Sequence, residues 1–390
     1  MERPENSNLL SADRPLNDPK DDQLGYAPFA EHLAGSIVRM VPPTGLVISI
    51  YGYWGLGKTT VLNFIEHYLS QQNTVEQPVL VKFNPWWFSG DEDLTRRFFD
   101  QLSAVLSSRK ALSKKIRKKI RTLGELVSGI PRYGIFGKIL VLLAGEKPKD
   151  VLAIKDEIKK LISGQTRKLL VVIDDVDRLT SEEVRQLFRV IKAVGDLPNV
   201  IYLLALDKKV AVEALKQEQG VSGEEYLEKI VQVTFELPLP NKTSIQKLFF
   251  KKLDVILEGT PEELWDKKRW SNVYFDGIDH FISTPRDIVR LTNTLTVTYP
   301  AVKGEVNPVD FAAIEALRVF SPTVYDSIRS NMYAFAEPID DPLFLRFTDE
   351  DFSRFHNSWI DELPEKEKKN TKRIKDVLPH LNLHRCSAYF

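Results

Sequence analysis

The chain has almost no cysteine. Cys386 is the single one in 390 residues, which excludes a disulfide framework and suits a reducing, cytoplasmic setting. The six histidines are scattered without ligand spacing, so no histidine-built metal site is expected. Neither sign of charge is in excess. Lys plus Arg and Asp plus Glu both number 54, which argues against wholesale electrostatic binding of nucleic acid and leaves only local patches. No apolar run reaches the roughly 18 residues of a membrane-crossing helix. The first thirty residues are polar and Pro-rich, so they do not read as a signal peptide. At this length about two or three domains are expected.

What the chain does have is concentrated between Gly45 and Thr60. Val47, Ile48 and Ile50 form a short apolar run that reads as a buried strand. Gly52 follows, then four residues, then Gly57, Lys58 and Thr59. This is the complete G-x-x-x-x-G-K-[ST] pattern of a phosphate-binding loop, with a strand before it. Val61, Leu62, Phe64, Ile65 and Leu69 recur at helical spacing after it. The glycines let the backbone turn tightly and approach an anion. Successive N–H groups and the start of the helix then face phosphate oxygens. Gly52, Tyr53, Trp54, Gly55, Leu56, Gly57, Lys58, Thr59 and Thr60 are therefore the expected nucleotide cradle. Lys58 supplies a cation for the terminal phosphates and Thr59 a hydroxyl for Mg²⁺.

A second acidic motif completes the pattern. Leu169 to Ile173 form a continuous apolar run that ends in Asp174 and Asp175, and the carboxyl edge of such a strand is where open α/β sheets bind ligands. Asp174 is the expected Mg²⁺ ligand. Asp175 is the expected group that orients and deprotonates the attacking water. Asp177 and Arg178 either extend this cluster or form a plain ion pair. Asn199 to Leu206 read as another buried strand ending in Asp207, which either senses the γ-phosphate or caps the next helix.

Other stretches read less specifically. Pro78 to Pro85 look like a strand, with Asn84 at its end able to hold a water or a phosphate oxygen. Trp86, Trp87 and Phe88 follow and are expected as core or interface packing. Residues 109–121 carry eight basic side chains and no acidic one. Leu112, Ile116 and Ile120 give that stretch an apolar stripe. It reads either as a contact for anionic membrane or nucleic acid, or as a solvated helix. Gly134 to Gly145 are apolar but interrupted by Lys138. The expected organisation is a disordered lead-in over 1–21 and a core over 22–240 that carries a basic, helical insertion at 109–165. A helical lid over 241–330 and a charged, helical extension over 331–390 follow.

Together these motifs resemble the KAP P-loop NTPases, the family of an ankyrin-repeat membrane scaffold and plasmid phage-exclusion proteins. The matching pieces are Gly52 to Thr60, Phe83-Asn-Pro-Trp-Trp-Phe88, Val172-Ile-Asp-Asp-Val-Asp-Arg-Leu179, Leu204-Ala-Leu-Asp207 and Ser283-Thr-Pro-Arg-Asp-Ile-Val-Arg290. The family often has transmembrane hairpins where residues 109–165 stand here, and Tyr53 and Leu56 replace a more usual acidic and small residue. The resemblance implies an α/β P-loop NTPase of the additional-strand class, with a parallel sheet of order 5-1-4-3-2 and an α-helical lid. It implies a role for Arg286 on the γ-phosphate, although Pro285 at the first helical position also suits a simple capping or pairing role. It further implies a Mg²⁺-dependent ATPase that couples nucleotide state to homo-oligomer assembly or to a protein effector, in a bacterial anti-phage context. A non-hydrolysing nucleotide switch or scaffold, and a cytoplasmic adaptor at the membrane surface, stand as alternatives.

The cradle reading has a direct test. Lys58→Ala removes the cation placed among the phosphates and should abolish tight nucleotide binding. Calorimetry with ATP checks it, and unchanged affinity would sink the assignment.

Overall fold

The computed structural model describes residues 10, 12–40, 44–73, 76–90, 94–108, 120, 122, 148–164, 167–216 and 222–331. The basic stretch 109–121 lies outside these apart from Ile120, as do the apolar stretch 134–145 and residues 332–390. Two compact units divide the chain between Leu239 and Pro240, and the described residues before Pro15 go with the second unit.

The first unit is built on β1 (Leu46–Tyr51), β2 (Val79–Phe83), β3 (Leu169–Ile173), β4 (Val200–Leu206) and β5 (Val233–Glu236). They form one sheet of order β2-β3-β4-β1-β5, parallel throughout. Read from the other edge this is 5-1-4-3-2, the order the resemblance implies. Strand side chains alternate between faces, and both faces of this sheet are covered. Val47 and Tyr51, Val171 and Ile173, and Tyr202 and Leu204 enter one core cluster. Ile48 and Ile50, Leu170 and Val172, and Ile201 and Leu203 enter the other. Two-sided burial is why these strands read as continuous apolar runs and not as alternating ones.

Helices α1 (Ala27–Arg39) and α2 (Lys58–Ser70) cover the second face. On the first face lie α3 (Leu94–Ser108), α4 (Pro148–Ser163), α5 (Ser181–Val194), α6 (Lys208–Leu215) and α7 (Gly223–Glu228). The Lys168 ammonium closes the C-terminal end of α1. It donates to the carbonyls of Ile37 at 3.1 Å, Val38 at 2.5 Å and Met40, where the helix leaves acceptors without partners. Lys155 and Lys159 of α4 both pair with Asp196, at 2.8 and 2.7 Å.

One expectation is corrected here. Residues 12–21 are not a disordered lead-in: Leu16 N–H donates to Thr60 Oγ1 at 3.2 Å, and Asn63 Nδ2 donates to Leu16 O at 3.0 Å. Pro19–Asp21 then form a short 3₁₀ turn. The aromatic trio divides: Phe88 stacks on Phe83 and packs against the core, whereas Trp86 and Trp87 are 45% and 75% exposed. The 3₁₀ turn Pro85–Phe88, fixed by Asn84 Oδ1 accepting from Trp86 N–H, turns both indoles outward.

The second unit is helical: α8 (Lys242–Ile256), α9 (Lys267–Asp276), α10 (Pro285–Thr298), α11 (Pro308–Phe320) and α12 (Pro322–Ser330). Phe249 stacks on Tyr274 at its centre, and the fully buried Asp310 is held by Arg269 at 2.7 Å.

The turns after β2 and β3 are joined by one buried carboxylate. Glu183, at the third position of α5, accepts from Thr180 N–H at 2.8 Å and Thr180 Oγ1 at 2.9 Å. It also accepts from Gly90 N–H at 2.7 Å and Ser89 Oγ at 2.9 Å. Burial alone would raise its pKa, but the donors from Gly90, Thr180 and Ser89 outweigh burial and hold it below the usual carboxylate range. The ionised form is thus favoured by folding, and its contribution is complete at neutral pH and lost as acid protonates it. Glu183→Gln should lower unfolding free energy by about 1–3 kcal/mol at pH 7. The gap to wild type should close below about pH 4. Urea melts across that range check this, and a gap independent of pH would show that the charge is not what matters.

Candidate functional site

All five strands run the same way, so β1, β2, β3 and β4 deliver their C-terminal ends to one edge. Gly52 leaves β1 there, and the loop returns through Gly55 and Gly57, whose φ values are +85° and +97°. Side-chain-bearing residues rarely adopt that left-handed region. Lys58 then opens α2. Its ammonium is buried and donates to Gly52 O at 2.9 Å, Tyr53 O at 3.3 Å and Asp177 Oδ2 at 2.9 Å. The Lys58 and Asp177 side chains are only 7% and 5% exposed. Tyr53 and Trp54 lie on the outside of the loop, whereas Leu56 is buried beneath it.

Beside the lysine, Thr59 Oγ1 donates to Asp174 Oδ2 at 2.7 Å. The Asp174 pKa is raised, first by burial and further by the charges of Asp175 and Asp177. The hydrogen bonds from Thr59 and the Asp175 N–H oppose the rise. A half-buried hydroxyl–carboxylate pair of hard oxygen donors fits a cation such as Mg²⁺, which takes few protein ligands and keeps waters and phosphate oxygens. Among the described residues no cluster of three or more His, Cys, Asp or Glu forms a separate metal cage.

Asp175 has φ +58°, an uncommon conformation for a residue with a side chain and one that recurs at functional sites. Its Oδ1 accepts from Arg178 Nε at 2.7 Å and its Oδ2 from Asn84 Nδ2 at 2.7 Å. The Arg178 guanidinium lies 4.7 Å from the centre of the Trp86 ring, a cation–π contact. Asn84, Trp86, Arg178 and Asp175 thus close a ring of contacts.

The structure brings Lys58, Thr59, Asp174, Asp175 and Asp177 into one cluster. Thr60 stands at its rim with its hydroxyl engaged by Leu16. Asp207 accepts from Lys209 N–H at 2.9 Å and is the N-cap of α6, which matches the capping alternative. Arg286, in the helical unit, is the second residue of α10. Its Nε donates to Asp13 Oδ2 at 2.6 Å, and Thr284 and Asp287 cap that helix reciprocally.

The KAP family P-loop domain matches residues 26–302. The chain belongs to the KAP family. The Phage T7 exclusion protein of Escherichia coli (strain K12) is 25% identical to this KAP chain over 351 residues. The match takes in 82% of the chain but 47% of that relative, so the KAP chain spans about half the relative's length. Among solved structures, the ORC2 protein of Aeropyrum pernix covers 97% of both chains at 11% identity and a TM-score of 0.41. A Walker-type ATPase of Pyrococcus abyssi covers 97% of this chain and 93% of its own, at 13% identity and a TM-score of 0.40.

Sequence reasoning left Asp177, Arg178 and Asn84 undecided and missed Glu183 and Tyr26. Glu183 had a signal in Thr180-Ser-Glu-Glu183, the T-x-x-E capping box. The KAP site also makes a specific demand on Asp177. Asp177→Asn leaves the buried ammonium without its anion and should lower nucleotide-free stability by about 3–5 kcal/mol. A nucleoside triphosphate should then stabilise the variant more than wild type, because phosphate replaces the lost charge. Thermal melts with and without nucleotide test this, and equal increments would show that Asp177 and phosphate do not share Lys58.

Proposed function

We propose that the chain is a Mg²⁺-dependent ATPase that couples nucleotide state to assembly or to a protein partner, in a phage-exclusion setting. The observation that carries this reading is the meeting of a complete phosphate loop with two adjacent carboxylates at one sheet edge, within a P-loop family. Lys58 and the loop N–H groups would hold the β- and γ-phosphates. Thr59 and Asp174 would hold Mg²⁺, which supplies charge neutralisation to the phosphates. Asp175 would orient a water and take its proton, with Asn84 and Arg178 setting the carboxylate's direction. The phage-exclusion setting rests on the relative from Escherichia coli alone.

A second reading has its own support. Both oxygens of Asp175 are engaged, by Arg178 and Asn84, an arrangement that suits a nucleotide switch with hydrolysis held back until a partner rearranges the site. Asp175→Asn separates the two readings. It keeps the side-chain shape but removes the base, so ATP binding should persist while turnover falls by roughly two to four orders of magnitude. Phosphate release and calorimetry on the same preparations check it. If wild type binds ATP but shows no turnover for the variant to lose, the switch reading stands. If the variant turns over normally, Asp175 is not the base.

A further inference from the structure

Tyr26 stands just before α1, about thirty residues ahead of the phosphate loop in sequence, yet it is part of that loop's support. It is 2% exposed. Its hydroxyl donates to Leu56 O at 2.6 Å, a fully buried bond. Burial first, with the nearby charge of Asp22, pushes the phenol's pKa well above its usual value, so the hydroxyl is a permanent donor at physiological pH. The ring also lies against Gly57: a Cβ added there would come within 3.1 Å of a Tyr26 ring carbon.

The geometry points to Tyr26 as a positioning residue of the phosphate cradle, a role that rests on the nucleotide-binding reading above. The Leu56–Gly57 peptide is trans, as are all peptide bonds among the described residues. Its C=O and N–H therefore point to opposite edges of one rigid plane. By holding the Leu56 carbonyl on the buried side, Tyr26 turns the Gly57 N–H to the other side, where the loop's donors face an anion. Without that bond the plane is free to rotate, and at a glycine with φ +97° little else opposes it. The cost of ordering the loop would then fall on the binding step.

Tyr26 is itself held in place. Asp22 Oδ1 accepts from Leu24 N–H at 2.9 Å and Gly25 N–H at 3.2 Å, and its Oδ2 accepts from Ala27 N–H at 2.7 Å. This turn fixes the start of α1 and aims the ring at the loop. Further upstream, Leu16 N–H engages Thr60. Residues 16–26 thus contact the cradle at both ends.

The test is Tyr26→Phe, which keeps the ring against Gly57 and deletes only the donor. The Leu56–Gly57 peptide serves phosphates common to both nucleotides, so ATP and ADP should both bind about fivefold more weakly in calorimetry. KM should rise by a similar factor, while kcat at saturation stays within about twofold, because no group at the reacting phosphate is altered. Tyr26→Leu, which also vacates the space beside Gly57, should weaken binding further. Lys58→Ala is run alongside. If wild type binds ATP, Lys58→Ala abolishes binding and Tyr26→Phe leaves both affinities unchanged, the positioning role is overturned while nucleotide binding stands. A fall in kcat at constant KM, or a lowered nucleotide-free melting temperature with unaltered affinities, overturns it equally. If wild type binds no nucleotide, the functional reading fails and this inference fails with it.

Discussion

An ammonium buried at the edge of a sheet has to be surrounded by oxygens, because leaving it unpaired in that environment is costly. Lys58 meets this constraint with two carbonyls of its own loop and the carboxylate of Asp177. β4 stands between β1 and β3 in the sheet, so Asp177 and Asp174 reach Lys58 and Thr59 only because all the strands end at the same edge. The parallel topology, the two covered faces and the apolar strands are what bring five charged side chains, Lys58, Asp174, Asp175, Asp177 and Arg178, together at one edge. The cluster has an excess of acid: one lysine and one arginine face three aspartates, so a bound cation would be favoured there.

Around that cluster the turns after β2 and β3 behave as one body. Glu183 ties Ser89 and Gly90 to Thr180, and the ring from Asn84 through Trp86 and Arg178 to Asp175 ties the same two turns closer to the chemistry. The strained backbone of Asp175 is sustained by these partners, which fix its carboxylate from both sides. The indole of Trp86 is 45% exposed, so an event at that ring is separated from the carboxylate by a single guanidinium.

Much of this was legible in the chain because its signals are local. Gly52 to Thr59 and the run from Leu169 to Asp175 carry spacing, apolar continuity and charge within a dozen residues, and the strand order follows from the class they imply. What was not legible depends on contacts between distant segments. Nothing near Tyr26 announces that its hydroxyl meets Leu56, thirty positions on. The aromatic run after Asn84 reads as core or interface by composition, and it is the 3₁₀ turn that keeps Phe88 on the core and leaves the two indoles exposed. In the sequence, Asp177 and Arg178 stand open between extending the acidic cluster and forming a plain ion pair. In the fold each has an ionic partner within the cluster, Lys58 for Asp177 and Asp175 for Arg178.

The sheet order has a consequence for how this architecture can diversify. β2 is the edge strand, and the connection from it to β3 runs through α3 and α4 with residues 109–147 between them. Because β2 pairs with β3 alone, the length of that connection does not enter the pairing of β1, β3 and β4. Chain length there is a free variable of the architecture: it can change while the register between β1, β3 and β4, and with it the approach of the carboxylates to Lys58, stays fixed.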